Sequence, residues 1–296
     1  GDHRDLHRVD RRQRQMCIRD SNSMNRSKEN SIISEDMEYL ISQQLEWRNL
    51  TNKTILISGG AGFLASYLIK TLLRASKNMD LGIKVICLVR DMDKLSRLAS
   101  LRENGNLLIV KHDVTQPLSE SLERSDYVIH AASNASPRYY GVDPVGTLLA
   151  NTTGCQNMLD YSVRSKAEKF LFFSSSEVYG EPIEQNKFLT EEDFGYLDPM
   201  NVRSCYAESK RLGETMCASW ATQFGLNTTV VRPFHTYGPG MYLGDGRVFA
   251  DFVSNIVESK NIILKSDGSS VRAFCYIRDA TAVSYTHLTL PTIYSV

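Results

Sequence analysis

The sequence predicts an α/β fold built on a doubly wound parallel sheet, and three observations carry that prediction. Short apolar runs alternate with helical patterns along most of the chain. One run, Lys53-Thr54-Ile55-Leu56-Ile57-Ser58, passes through a glycine-rich turn directly into a helical pattern. Another, Phe170-Leu171-Phe172-Phe173, stops abruptly at Ser174-Ser175-Ser176-Glu177 and is followed by Tyr206-Ala207-Glu208-Ser209-Lys210 at the start of a helix. With 296 residues and 42% hydrophobic content, the chain can bury a sizeable core in one large or two unequal domains. Lys+Arg and Asp+Glu both number 34, which argues against nucleic acid or an anionic membrane as the main partner. No apolar run is long enough to span a bilayer, since the stretch Phe63 to Leu73 is broken by Ser66, Lys70 and Thr71. Cys17, Cys87, Cys155, Cys205, Cys217 and Cys275 lack Cys-x-x-Cys spacing, as expected of reduced thiols in a cytoplasmic protein. No His/Cys/Asp/Glu cluster has metal-ligand spacing, so no metal is expected.

Both ends look foreign. Residues 1–23 show neither helical nor strand periodicity and lack the apolar core of a signal peptide. Residues 284–296 break a helical pattern that begins at Asp279. Both segments resemble translated adapter sequence and are expected to be non-native, with the native start at Met24 and a native chain continuing past Val283.

In chain order, Ser34 is a candidate N-cap for a short helix with Met37, Leu40, Ile41 and Leu45 on its apolar side, within an N-terminal helical segment over 24–52. The first strand, Lys53–Ser58, leads into Gly59-Gly60-Ala61-Gly62-Phe63-Leu64-Ala65 and a helix to about Ser76. Gly59 permits the tight turn, Gly62 lets a pyrophosphate approach the backbone, and the small Ala65 lets helix and strand pack closely. The helix N-terminus at Phe63 and Leu64 offers free N–H groups and a favourable dipole to phosphate. The second strand, Lys84–Val89, ends at Arg90, where an acid would select the ribose of NAD and an arginine suits the 2′-phosphate of NADP; the choice stays open here. Asn106–Val110 reads as the third strand, followed by His112-Asp113-Val114. Tyr127–Ser133 reads as the fourth, its small residues Ala131, Ala132 and Ser133 leaving room for a flat cofactor. Asn151 sits on the next helix as a solvated side chain or as one that orders water beside a cofactor. Phe170–Phe173 and Thr228–Val231 complete six strands, with ligands expected at their carboxyl ends.

Tyr206 and Lys210, four apart on a helix, lie on one face. A nearby ammonium favours phenolate, so Lys210 is expected to lower Tyr206 from its ordinary value and make it a general base. A serine at the end of the buried strand, Ser175, is placed to hold the same substrate oxygen.

These motifs together resemble the extended short-chain dehydrogenase/reductase family, and within it the nucleotide-sugar epimerases, dehydratases and decarboxylases. The resemblance covers about Leu50 to Thr281. It includes Arg203-Ser204-Cys205-Tyr206 through Arg211, Arg232-Pro233-Phe234-His235-Thr236-Tyr237-Gly238-Pro239, Asp245-Gly246-Arg247-Val248 and Asp267-Gly268-Ser269 with Arg272-Ala273-Phe274. With Ala135-Ser136-Pro137, these are most similar to UDP-glucuronate decarboxylases. The resemblance implies a Rossmann-type NAD-binding domain over 53–231 and a partial nucleotide-sugar-binding part over 232–283, with Phe274–Asp279 returning to the main sheet. It implies that NAD is recycled and that Gly59, Gly62, Phe63, Leu64, Arg90, Asp113, Val114, Ala131, Ala132, Ser133, Asn151, Pro233 and His235 surround it, with Tyr206 and Lys210. Tyr206 takes the sugar 4-hydroxyl proton, Lys210 binds the ribose, and Ser175 holds the reacting oxygen. Ser136, Pro137, Arg247 and Arg272 face the substrate, the arginines toward its diphosphate.

A 4,6-dehydratase needs an acid–base pair after the serine or threonine. Here Ser176 and Glu177 stand there, without the acid for a leaving hydroxyl, and decarboxylation fits best. Dehydratase or 4-epimerase chemistry, and a non-enzymatic NAD(P) sensor, are the alternatives. The sequence departs from the family at His235 (commonly Asn), Gly240 (commonly Arg) and the Val89-Arg90 strand end. The resemblance also implies a homodimer through a four-helix interface of Leu148–Tyr161 and Tyr206–Phe224, with Met216 and Trp220 as candidates for it.

Overall fold

The computed structural model describes residues 31–43, 45–181, 188–264, 267–268 and 271–290. Six parallel strands form one sheet: β1 Thr54–Ser58, β2 Lys84–Val89, β3 Leu107–Lys111, β4 Tyr127–His130, β5 Lys169–Phe173 and β6 Thr228–Val231. Their order is β3-β2-β1-β4-β5-β6, and every neighbouring pair runs parallel. The connections reverse direction between β1 and β4, which opens a crevice at the carboxyl ends of those strands. β1 and β5 are buried along their whole length, as expected of strands covered on both faces.

The helices follow from the connections: α1 (31–42), α2 Phe63–Met79, α3 Pro137–Tyr140, α4 Pro144–Asn151, α5 Thr153–Ser165, α6 Cys205–Phe224, α7 Val248–Val257 and α8 Ile277–Thr289. Gly62 precedes α2 in an extended conformation, and α2 ends on Asp80 in the left-handed region. Asp143 caps α4 by accepting from the Gly146 N–H. The helix expected over Leu148–Tyr161 is two helices, α4 and α5, that meet at Thr152.

Helix α6 lies directly on β5, and Gly213 is the reason it can. A Cβ there would sit 2.4 Å from Phe172 Cζ. Glycine inside a helix costs about 1 kcal/mol relative to alanine. Here it brings the Tyr206 and Lys210 face down onto the sheet.

Helix α1 covers the flank of α2. Ile33 and Met37 pack with Tyr67 and Ile277, and with Phe63, Leu64 and Tyr276 around them. The buried Asp36 accepts hydrogen bonds from the hydroxyls of Tyr67 and Tyr276, and Arg278 lies 3.8 Å away. Ser34 is inside this helix and accepts from Arg74 instead of capping the start.

Three expectations are corrected. Residues Phe274–Tyr276 (β8) do not return to the main sheet; they pair in parallel with β7, His235–Tyr237, in a separate two-stranded sheet. The fourth strand stops at His130, because Ser58 captures the Ala131 and Ala132 amides that would extend it. Residues 284–290 do not break the helical pattern: α8 runs on to Thr289, burying Tyr285 and Leu288 in the main core. Tyr285 lies against Trp47, ring centroids 4.0 Å apart. The expectations for residues 1–23, including Cys17, for Met24, for Ser269 and for 291–296 lie outside the described residues. Among the described residues Cys87, Cys155, Cys205, Cys217 and Cys275 are free thiols. No group of three or more His, Cys, Asp or Glu among them could hold a metal ion.

Candidate active site

The crevice is built on one side by the glycine turn. Gly59 has φ +68, and a Cβ on it would lie 2.6 Å from Ala132 Cα and 2.7 Å from Ala132 N. A Cβ on Gly62 would meet the Gly59 carbonyl at 2.9 Å. Gly60, which the motif alone did not single out, is held against β2: a Cβ there would sit 2.1 Å from Cys87 Sγ. The first turn of α2 carries no acidic residue and no side-chain cap, which leaves its N–H groups open to an anion. The bared backbone, the uncapped α2 and the buried, unpartnered Ser133 Oγ and Asn151 Oδ1 nearby fit a dinucleotide.

Asp113 and Arg90 close the far end. Asp113 Oδ1 accepts from the Thr115 N–H and hydroxyl, which with the Arg90 charge holds its carboxyl below the ordinary range. Arg90 itself is exposed just past β2. Val114 packs on α5, where Gly154 leaves space for its Cγ2. Arg97, absent from the sequence expectations, donates to the Ala61 carbonyl (3.1 Å) and to the Gly240 carbonyl (2.9 Å). It ties the glycine turn to the loop after β7, where Gly240 takes φ +86.

The other wall holds Ser175, Glu177, Tyr206 and Lys210. Ser175 follows β5, accepts from the Glu177 N–H at 3.2 Å and lies beside Tyr206, on which it acts to favour the phenolate. Tyr206 is buried and stacks on Tyr140, with centroids 5.0 Å apart and planes 16° from parallel. Arg203 lies over the other partner, 4.5 Å from the Tyr140 centroid, and donates to both Glu177 oxygens at 3.2 and 3.3 Å. Glu177, Arg203, Tyr140 and Tyr206 thus form one continuous stack. Tyr140 and Arg203 were missed as site residues, although Arg203 lies in the quoted motif, because neither belongs to a spacing with chemistry of its own.

Lys210 is only 2% exposed. Its Nζ donates to the Phe173 carbonyl at 2.6 Å and sits 4.7 Å from the Phe172 ring centroid. The expectation that it lowers Tyr206 is not met: burial holds Tyr206 above its ordinary range, with Glu177 adding to the rise, while Ser175, Arg247 and Arg203 oppose it. Burial instead lowers Lys210 itself, to about 8. Between that value and the 10.5 of an ordinary lysine, the unfolded chain binds a proton the folded chain does not. Stability from this position therefore rises with pH across that window. Relative to Lys210→Met, the native protein should gain thermal stability between about pH 8 and about pH 10.5. A difference between the two melting temperatures that stays flat with pH rejects the lowering of Lys210.

Asn151 donates to Ser209 Oγ at 2.9 Å, linking α4 to α6 beside Lys210. Ser174 and Arg232 converge on Glu214, the guanidinium at 2.6 and 2.9 Å, fixing β5 and β6 to the middle of α6. Ser136 donates to the Asp245 carbonyl at 2.6 Å, and with Pro137 at the head of α3 it brings the loop carrying Arg247 to the Tyr206 wall. Arg247 pairs with Asp245 at 2.9 Å. Pro233 accepts from the Ser176 N–H. His235 is lowered by burial and by Arg272 and Arg247, and its Nδ1 is buried without a partner. Arg272 is exposed at the rim and donates to the neighbouring Val271 carbonyl.

A model of the NAD-dependent epimerase/dehydratase family matches residues 55–294. The chain belongs to that family. The chain is 35% identical over 229 residues to UDP-glucuronic acid decarboxylase 6 of Arabidopsis thaliana, covering 77% of this chain and 64% of that protein. It is 37% identical over 230 residues to UDP-glucuronic acid decarboxylase 1 of Xenopus tropicalis, covering 77% and 51%. The chain thus spans between about half and two-thirds of the length of these relatives. Among solved structures, UDP-N-acetylglucosamine 4-epimerase of Methanobrevibacter ruminantium superposes with TM-score 0.70 at 25% identity, covering 80% of this chain and 73% of that one. UDP-glucuronic acid 4-epimerase of Bacillus cereus, in complex with UDP-glucuronic acid and NAD, gives 0.66 at 26% identity over 77% and 70%. As in other members of the epimerase/dehydratase family, the expected Rossmann-type doubly wound sheet is present. No helix among the described residues is long and apolar enough to cross a membrane.

Proposed function

We propose that this protein is an NAD-dependent nucleotide-sugar enzyme whose reaction is the decarboxylation of UDP-glucuronate to UDP-xylose. The observation that carries the reading is the wall of the crevice. Ser175 and Tyr206 lie together at the carboxyl end of β5, Lys210 lies a turn below, and Glu177 is a carboxylate whose charge acts on Tyr206. The curated relatives named as UDP-glucuronic acid decarboxylases support the choice of branch.

Bound NAD supplies the acceptor, and later the donor, of the hydride at sugar C4. The residues of this chain do the rest. Tyr206 takes the proton of the 4-hydroxyl, and Ser175 holds that oxygen so that proton and hydride leave together. Lys210 presents an ammonium to the ribose and to the phenolate as it forms, and the positive field of Arg247 and Arg203 already favours that phenolate. Oxidation at C4 places a carbonyl β to the carboxylate, so CO2 leaves without a leaving-group acid. Ser176, where a dehydratase needs that acid, is therefore sufficient. Glu177, steered by Arg203, assists the C5 step. Ser136, Pro137, Arg247 and Arg272 bind the substrate, the arginines meeting its diphosphate; Arg272 must swing in from the rim to do so. Gly59, Gly62, Phe63, Leu64, Asp113, Val114, Ala131 to Ser133, Asn151, Pro233 and His235 line the NAD side. The exposed Arg90 is free to meet the adenosine ribose.

The enzyme works in this reading as a cytoplasmic homodimer supplying polysaccharide precursors. The outward Leu148, Leu149, Leu212 and Phe224 on α4 and α6 supply the apolar surface for a four-helix interface. Met216 and Trp220 pack partly on their own core, and Trp220 also donates to Asp160, so their share of that interface is small. Incubation with UDP-glucuronate and, separately, dTDP-glucose tests the reaction by product mass. Loss of CO2 from the first is expected. Loss of water from the second identifies a dehydratase, unchanged mass with an altered sugar an epimerase, and no cofactor reduction with either a binding protein.

A further inference from the structure

His130 takes no part in the steps above, yet it is fully buried and joins four elements at the crevice. Its Nδ1 lies 2.8 Å from Ser58 Oγ at the end of β1, and its Nε2 lies 3.1 Å from the Ala150 carbonyl on α4. Its ring stacks on Phe172 of β5, whose ring also lies below the Lys210 ammonium of α6.

A carbonyl only accepts, so Nε2 carries the proton and Nδ1 is left as an acceptor. Ser58 therefore donates its hydroxyl proton to Nδ1. Two lone pairs remain on that oxygen, and they take the Ala131 and Ala132 amides at 3.1 and 3.2 Å. Every donor and acceptor in this buried set has one use. An imidazolium would turn a second donor onto Ser58 and break the pattern. Burial and the Lys210 charge act in the same direction, pushing His130 down to about 3.

The two amides held this way belong to the stretch that passes the glycine turn, where a Gly59 Cβ would lie 2.6 Å from Ala132 Cα. On the other side, Ala150 precedes Asn151, which reaches Ser209 next to Lys210. The imidazole therefore stands between the backbone that cradles a dinucleotide and the helix that carries the reacting tyrosine.

We propose that His130 is a positioning residue for the dinucleotide: it aims the Ser58 hydroxyl so that the Ala131–Ala132 backbone is held against the glycine turn. This rests on the reading that the crevice binds NAD. Two substitutions separate the two ends of the ring. His130→Asn places an amide oxygen near the Nδ1 position, keeping an acceptor for Ser58 and losing Ala150. His130→Gln reaches the Nε2 position, keeping a donor to Ala150 and losing the acceptor for Ser58.

The NAD dissociation constant, measured by calorimetry, is expected to rise about tenfold in His130→Gln and to stay within about threefold of the parent in His130→Asn. Both variants should melt lower, since each leaves a buried group unpaired, so melting temperature alone does not distinguish them. Ser58→Ala removes the hydroxyl that accepts from both amides, with His130 intact, and should repeat the Gln result, which keeps the test available should a His130 variant not fold. Equal NAD affinity in the Asn and Gln variants, or parental affinity in Ser58→Ala, overturns the proposal. A parent protein that does not bind NAD overturns the functional reading and this proposal together, whereas binding by the parent with equal constants in the variants overturns this proposal alone.

Discussion

Tyr206→Phe should lower turnover by about a thousandfold while NAD remains bound. The change removes only the hydroxyl. The ring keeps its stack on Tyr140, and Ser175 keeps the Glu177 N–H, so the wall of the crevice stays intact. Burial holds the phenol above its ordinary range, and Ser175 and the field of Arg247 and Arg203 act against it to favour the phenolate. Rate measured with UDP-glucuronate, together with NAD affinity by calorimetry, checks this. Activity within about tenfold of the parent would remove Tyr206 from the role of base.

Gly59→Val should abolish NAD binding and lower stability at the same time. Valine is strained at φ +68, and its Cβ would enter the space of Ala132 N, Ala132 Cα and the Ala131 carbonyl carbon, all backbone. Neither chain can retreat, because Ser58 holds both alanine amides from the other side. The cost is expected to be at least about 3 kcal/mol, the range for overpacking combined with backbone strain. Thermal melting and NAD titration read both effects. A variant that melts like the parent and binds NAD within about threefold would mean that Ala131 and Ala132 are free to move.

The sheet was legible in the sequence because both-face burial writes strands as unbroken apolar runs; Ile55 to Ile57 and Phe170 to Phe173 are the clearest. The glycine turn and the Tyr206, Lys210 and Ser175 trio were legible because their chemistry demands fixed spacing. Arg97, Arg203 and Tyr140 were not. Each acts through partners far away in the chain, Gly240, Glu177 and Tyr206, and no local period records such contacts. The charge relation of Lys210 to Tyr206 was misjudged because helical spacing reports a shared face and is silent about desolvation. The sheet that β8 joins was misread for a similar reason. Phe274–Tyr276 is a plausible strand for either sheet, and only the position of His235–Tyr237 decides between them.

Helix α1 has a practical consequence for anyone preparing this protein. It lies wholly upstream of residue 55, where the match to the family begins. Expressing a fragment trimmed to that homology limit would strip the lid from Tyr67, Ile277 and Phe63, and would orphan two phenols that share the Asp36 carboxylate. The raw patch would lie one helical turn from the glycine turn, so such a fragment should clump and bind a dinucleotide more weakly.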